Sequence, residues 1–270
     1  MDDFKGCIVV VAHPDDEILW ASSLLSGAKK IVLCYGDSPS SAKVSQGRRA
    51  LLQDFPLKSA VSLNITESNV YQMADWRRPV ETAYGIACGR NTDEYARNFH
   101  LLTEALQGHV EEGDLVVTHN PWGEYGHEEH VQVFRAVSHL KQQRGFRLFV
   151  TGYASDRVLP FMERNIPRLG PSSAMLPTDR DLSRRLKEHY QAHDSWTWED
   201  TYEWPDHECF YEVTNPHAPL RTSGKAMCSL PVNVLWLDGP LPLWRRALRG
   251  VKRRLRTIAY NVSRRTRPGG

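Results

Sequence analysis

The stretch "GCIVVVAHPDDE" (Gly6 to Glu17) decides the reading of the chain. Isoleucine and three valines run without a polar break, as in a strand buried on both faces, which is the habit of parallel sheets. The run then ends within five residues in His13, Asp15, Asp16 and Glu17. Acids after Pro14 suit the positive N-terminus of a following helix. That reading leaves His13 unexplained, because a residue at a strand's carboxyl end projects into the crevice where α/β sheets bind ligands.

Working outward, "KKIVLCYG", "AVSLNI", "GDLVVTHN" and "RLFVTGYAS" read as four more buried strands. Helical segments are expected at "EILWASSLLSGA", at 43–54, at 93–112 and from His127 to Gln143. Strands alternating with helices predict an α/β fold, a Rossmann-like three-layer sandwich on a mostly parallel sheet. Two irregular stretches, 66–92 and 154–180, are expected to overhang the carboxyl rim. The aromatic segment 196–213, "WTWEDTYEWPDHECFYEV", completes an irregular C-terminal part of a body spanning 1–238.

Composition narrows the class. The chain has 270 residues, 41% hydrophobic and 24% charged, ordinary for a soluble globular protein. Five scattered cysteines without a CxxC pair argue for a reducing compartment and against a disulfide framework or thiolate zinc site. The acidic start "MDDFKG" is unlike a signal peptide, and no apolar run reaches the ~20 residues of a membrane span. A cytoplasmic location is expected, and the sequons at Asn64 and Asn261 carry no weight there. The missing GxGxxG after the first strand argues against a nucleotide-binding Rossmann enzyme.

Charge is unevenly spread. Ten Lys/Arg and no acid follow Asp238, so the body carries −8 although the whole chain is +2. In the tail, 239–270, Trp244, Leu248, Val251, Leu255, Ile258 and Val262 form one stripe of a basic amphipathic helix. Such a helix either docks on the protein's own core or lies on an anionic membrane surface, which would make the protein peripheral on the inner face. The regular apolar stripe is unnecessary for phosphate contacts, so no nucleic acid is expected as a partner.

A second cluster, "HNPWGEYGHEEH" (His119 to His130), follows the fourth strand. His127 and His130 are three apart at a helix start and can face one side; HExxH zinc proteases need a spacing of four. Histidine and aspartate are donors suited to zinc, and a catalytic site needs three ligands with an open position. A neighbouring carboxylate off the metal can then act as base.

"AHPDDE" with the later "GEYGHEEH" resembles the PIG-L/LmbE family of zinc-dependent N-acetylglucosaminide deacetylases, over about residues 6–150. The usual second motif is close to G-x-Y-G-H-P-D-H, and this chain has Glu128-Glu129 where Pro-Asp is common. The resemblance implies Zn2+ held by His13, Asp16 and His130, with Asp15 as general base. It implies His127 as general acid or oxyanion partner, Tyr125 as a second oxyanion donor, and Glu129 in place of an aspartate that orients His127. It also implies an arginine from the second helix in the pocket, Arg48 with Arg49 as alternative, and an N-acetylglucosamine-containing substrate. Trp76, Trp122, Trp196, Trp198 and Trp204 are candidate sugar platforms, although most tryptophans are core. "KEHYQAHDSW" resembles a family segment bordering the active site and adds His193 and Asp194 as candidates.

Overall fold

The computed structural model describes residues 2–222 and 229–237. The chain divides into a unit Met1–Leu235 and a unit Trp236–Gly270, and every element named below belongs to the first. The expected tail helix at 239–270 lies outside the described residues.

The strands are β1 (Ile8–Val11), β2 (Lys30–Asp37), β3 (Ala60–Thr66), the hairpin β4 (Glu81–Thr82) and β5 (Gly85–Ile86), β6 (Leu115–Thr118), β7 (Arg147–Thr151), β8 (Tyr153–Ser155), β9 (Leu169–Ser172), β10 (Leu176–Pro177), β11 (His207–Glu208), β12 (Phe210–Val213) and β13 (Asn233–Leu235). The helices are α1 (Asp16–Trp20), α2 (Ala42–Leu51), α3 (Thr92–Leu106), α4 (Glu128–Arg144), α5 (Leu159–Asn165) and α6 (Arg180–Ala192). Seven strands form the central sheet in the order β3-β2-β1-β6-β7-β12-β9. The first five are mutually parallel, and β12 runs antiparallel between β7 and β9. The protein is thus mixed α/β with a mostly parallel sheet.

Alternate residues of each strand feed different cores. Ile8 and Val10 pack with Val32, Val116 and Leu148 under α3 and α4, through Phe99, Leu102, Phe134 and Val137. Val9 and Val11 pack with Ile31, Leu33 and Val117 against α1, α2 and α6, through Ile18, Leu51, Leu186 and Tyr190. Helices therefore cover both faces, and the four residues of β1 are each at most 1% exposed. Burial of that completeness is worth about 1.5–3 kcal/mol for each large side chain. It explains why β1 reads as an unbroken apolar run.

Several boundaries depart from the sequence expectations. The first helix stops at Trp20, because Ser22 and Ser23 turn their amides onto the buried carboxylate of Glu208. Helix α3 ends at Leu106 rather than 112; Arg144 there caps the carbonyls of Gln107 and Val110. The fifth strand breaks at Gly152, where a Cβ would lie 2.6 Å from the Cys209 carbonyl, and β8 pairs with β13 instead. The stretch 154–180 is not irregular, since it holds α5, β9 and β10, and 196–213 supplies β12 to the main sheet.

The order of connections positions the site. The chain builds β1, β2 and β3 outward, then returns to place β6 on the other side of β1. The crevice between the carboxyl ends of β1 and β6 is the switch point where such sheets bind ligands. His13 follows β1 and His119 follows β6.

Candidate metal centre

Four histidines meet at this switch point. His13, His127 and His130 bring ring nitrogens within 4.8 Å of one another, and Asp16, His119 and His130 form an overlapping group at the same spacing. All five residues are buried. Their hydrogen bonds sort them by the nitrogen each leaves free.

His130 Nδ1 donates to Glu124 Oε2 at 2.7 Å, so its lone pair is on Nε2, a buried atom with no hydrogen-bond partner. His13 meets a carboxylate on each side, Glu129 Oε2 at 3.1 Å from Nε2 and Asp16 Oδ2 at 3.2 Å from Nδ1; with the proton of a neutral ring on Nε2, Nδ1 would be the nitrogen offered to a metal. Asp16 Oδ2 is also 3.2 Å from His130 Nε2. Its orientation is fixed by the His13 amide at 2.7 Å and by Trp20 Nε1 at 2.8 Å. An ion with bonds of ~2.0–2.1 Å sets its tetrahedral ligand atoms ~3.3–3.4 Å apart. The two nitrogen–oxygen separations at Asp16 Oδ2 are close to that spacing, and a carboxylate behind an imidazole, as Glu129 stands to His13 and Glu124 to His130, is common where a histidine binds metal.

The other two rings are spoken for. Ala12 N–H donates to His119 Nε2 at 2.8 Å, and His119 Nδ1 donates to Glu124 at 3.0 Å, so no lone pair remains. Burial opposes a charge on His119 while Glu124 and Asp16 favour one, raising its pKa to about 9. A proton on Nε2 would still oppose Ala12 N–H, so the backbone bond keeps the ring neutral. His127 is the N-cap of α4, and its Nδ1 accepts from Glu129 N at 3.2 Å. That bond places the proton of a neutral ring on Nε2, a donor rather than a ligand. Burial, with His130 and His13 alongside, holds the His127 pKa well below its ordinary value.

The local charge favours a cation. Burial alone would lower the His13 pKa, but Asp16, Glu129 and Glu67 outweigh it and raise it to about 10. Asp16 would be raised by burial, yet His130, His119 and His13 hold it well below the usual carboxylate range. A divalent cation would meet the same field, and imidazole nitrogens with a carboxylate oxygen are donors that transition-metal ions accept.

Asp15 points elsewhere, although it is the next residue in the chain. Its φ of 101° lies in a region that ordinary side chains avoid. Glu17 Oε2 holds its amide at 3.1 Å, and Thr197 donates to Asp15 Oδ2 from both N–H (3.0 Å) and hydroxyl (2.6 Å). The turn thereby sends the two carboxylates in different directions. Burial and the Asp16 charge raise the Asp15 pKa to about 7, against the opposing pull of Arg48 and Thr197. A carboxyl group poised near neutrality is the usual equipment of a general base.

The remaining candidates are spread unevenly. Tyr125 is buried, with its ring edge-on to His130 at 5.4 Å and to His127 at 5.8 Å; burial pushes its pKa well up, so it keeps its proton. Arg48 is 3% exposed and donates to Glu67 Oε1 at 2.6 Å, while its Nε has no partner. Arg49 faces outward to Asp37. Glu129 does not orient His127 through its carboxylate, which is taken by His13 and the Ser68 amide. Trp76, Trp122 and Trp204 are core residues, and Trp196 packs half-buried at the edge of a core. Only Trp198 of the five stands beside Tyr125, at 4.9 Å. His193 and Asp194 meet Asp54 and Lys43 rather than the histidine cluster.

No protein-family model matches the chain, and no curated protein matches it.

Glu124, Glu67, Thr197 and Tyr71 complete the centre without having stood out in the sequence. Glu124 lies in a loop where Gly123 (φ 67°) could not carry a side chain, since a Cβ would sit 2.5 Å from the His127 carbonyl. Tyr71 is 44% exposed and stacks on His127 at 4.7 Å with an 18° tilt. Its loop is pinned by Glu128, which accepts from the amides of Gln72, Met73 and Ala74 at 2.8–3.1 Å.

Proposed function

We propose that the protein is a metal-dependent N-deacetylase that hydrolyses the acetamido group of an N-acetylhexosamine conjugate, most simply N-acetylglucosamine. One observation carries the reading: the buried, partnerless His130 Nε2 lies 3.2 Å from Asp16 Oδ2, which also faces His13 Nδ1, beside a carboxyl group raised to about 7. Two PIG-L/LmbE-like motifs in the order that family uses support the choice of reaction.

His13, Asp16 and His130 would hold Zn2+, which when bound lowers the pKa of water and polarises a carbonyl. Asp15 takes the proton of the attacking water as the oxygen–carbon bond forms. His127 Nε2–H and the Tyr125 hydroxyl donate to the oxygen that becomes negative. Asp15 then returns the proton to the amine nitrogen as the carbon–nitrogen bond breaks, releasing acetate and the free amine. Neutral His127 suits donation to an oxyanion better than proton transfer, which favours the oxyanion role for it.

Tyr71 and Trp198, whose rings border His127 and Tyr125, offer flat apolar faces to a pyranose. Arg48 is tied to Glu67, so its contribution to substrate binding rests on the unpartnered Nε and on its charge near Asp15. Among the described residues no helix is long and apolar enough to cross a membrane. The basic tail supports a lipid-linked substrate reached from an anionic membrane face; a soluble conjugate is the alternative. Mass-resolved deacetylation across free, nucleotide-linked and polyprenyl-linked N-acetylglucosamine tests the function. Release of acetate from any of these with loss on Asp15→Asn supports it, and inertness of zinc-loaded protein toward all of them refutes it.

A further inference from the structure

A second set of metal donors lies outside the buried centre. His189, in the last turn of α6, and His193, its C-cap, are four residues apart and share one side of the helix end. Both turn Nε2 toward Asp54 in the connection between α2 and β3, at 3.3 and 3.5 Å from Oδ1. The two rings are 4.8 Å apart. All three donor atoms fall within 4.8 Å of one another. His189 Nε2 is itself a buried atom without a hydrogen-bond partner, although it lies 3.3 Å from Asp54 Oδ1.

We infer that His189, His193 and Asp54 bind a borderline transition-metal dication such as Zn2+, fastening the end of α6 to the turn after α2. Two imidazoles and a carboxylate are the donor set such ions favour. The two nitrogen–oxygen separations, 3.3 and 3.5 Å, are close to the ~3.3–3.4 Å between ligand atoms of a tetrahedral ion with bonds of ~2.0–2.1 Å, and the two nitrogens lie within 4.8 Å of each other. Phe55 beside Asp54 packs on Tyr190 at 5.7 Å, so the protein already brings the two segments together. The site is built at an edge that matters to the catalytic centre. Tyr190 donates to Glu17, the residue that holds the Asp15 amide, and Thr197, four residues past His193, donates to the Asp15 carboxylate. An ion here would brace the wall that supports Asp15 without touching it.

The test uses the full chain and zinc alone. Zinc binding and melting are followed for wild type, His130→Gln, Asp54→Ala, and Asp54→Ala/His130→Gln. Asp54 is mostly exposed, with its side chain at 64%, so its removal leaves the fold intact. Asp54→Ala should bind about one zinc equivalent less than wild type, and His130→Gln should still gain Tm on zinc addition while the double variant does not. His193→Ala should reproduce the loss seen with Asp54→Ala. Equal zinc uptake by wild type and Asp54→Ala, or an equal Tm gain in His130→Gln and the double variant, would mean the cluster is only an ion pair and would overturn the inference. Neither result bears on the buried centre, whose loss follows His130 instead.

Discussion

Replacing Glu124 with Gln tests the sorting of the histidines. Glu124 is fully buried, and burial would raise its pKa, but His119 and His130 outweigh that and hold it at about 2. It is therefore ionised throughout the working pH range. One oxygen accepts from both imidazole Nδ1–H groups, at 2.7 Å from His130 and 3.0 Å from His119; the other accepts from Asn120 N at 3.1 Å and from the Thr151 hydroxyl. A glutamine amide has one acceptor oxygen, so if that serves Asn120 and Thr151 its NH2 must face two ring N–H groups. His130 can escape only by moving its proton to Nε2, which removes the lone pair that would bind the metal. A lost charge-assisted bond is worth about 1.5–3 kcal/mol. Loss of a carboxylate behind a ligating histidine typically weakens metal affinity about 10–100-fold, the same range in free energy. Competition against a chromogenic zinc chelator, with circular dichroism to confirm the fold, reads the change. Unchanged affinity in a folded Glu124→Gln protein would refute the tautomer assigned to His130.

Three further outcomes are expected. Asp15→Asn should retain zinc yet lose on the order of 10²–10⁴ in turnover; in the wild type, activity should fall as pH drops and Asp15 takes up its proton, with the limb at or below about 7 because a bound cation lowers an acid's pKa. Tyr125→Phe and His127→Gln should each lower kcat more than they raise KM, since their bonds strengthen in the transition state, and steady-state kinetics showing a change in KM alone would remove that residue from the step. Gly152→Ala should destabilise the fold by about 1–3 kcal/mol in denaturant titration, because its Cβ meets the Cys209 carbonyl at 2.6 Å and the Cys209 sulfur at 2.7 Å with little room to give.

Part of the buried cluster is legible in the sequence because His13 and His119 follow strands that announce themselves. Strands β1 and β6 are buried on both faces, so their apolar runs are uninterrupted, and the histidines after them stand at a predictable edge. What could not be read depended on contacts between distant segments. Strand β12 enters the sheet antiparallel between β7 and β9, a pairing that no local pattern in "CFYEV" specifies. Helix α1 is cut short by Glu208, nearly two hundred residues away in the chain. Glu124 looks like a loop acid until Gly123 folds it beneath His119 and His130. The family resemblance pairs Glu129 with His127, whereas its carboxylate reaches His13 and the Ser68 amide. Of the tryptophans, only packing could separate Trp198 beside Tyr125 from Trp76, Trp122 and Trp204 in the core.

The ligand set of the buried centre is tested most directly by the zinc content of single substitutions made in an Asp54→Ala background, which silences the outer cluster. The background protein and its His127→Gln derivative should each carry about one zinc per chain. Derivatives with His13→Ala, Asp16→Asn or His130→Ala should lose most of it while remaining folded. Full occupancy in both His13→Ala and His130→Ala, or loss of zinc in His127→Gln, would contradict the assignment of His13, Asp16 and His130 as the metal-binding residues.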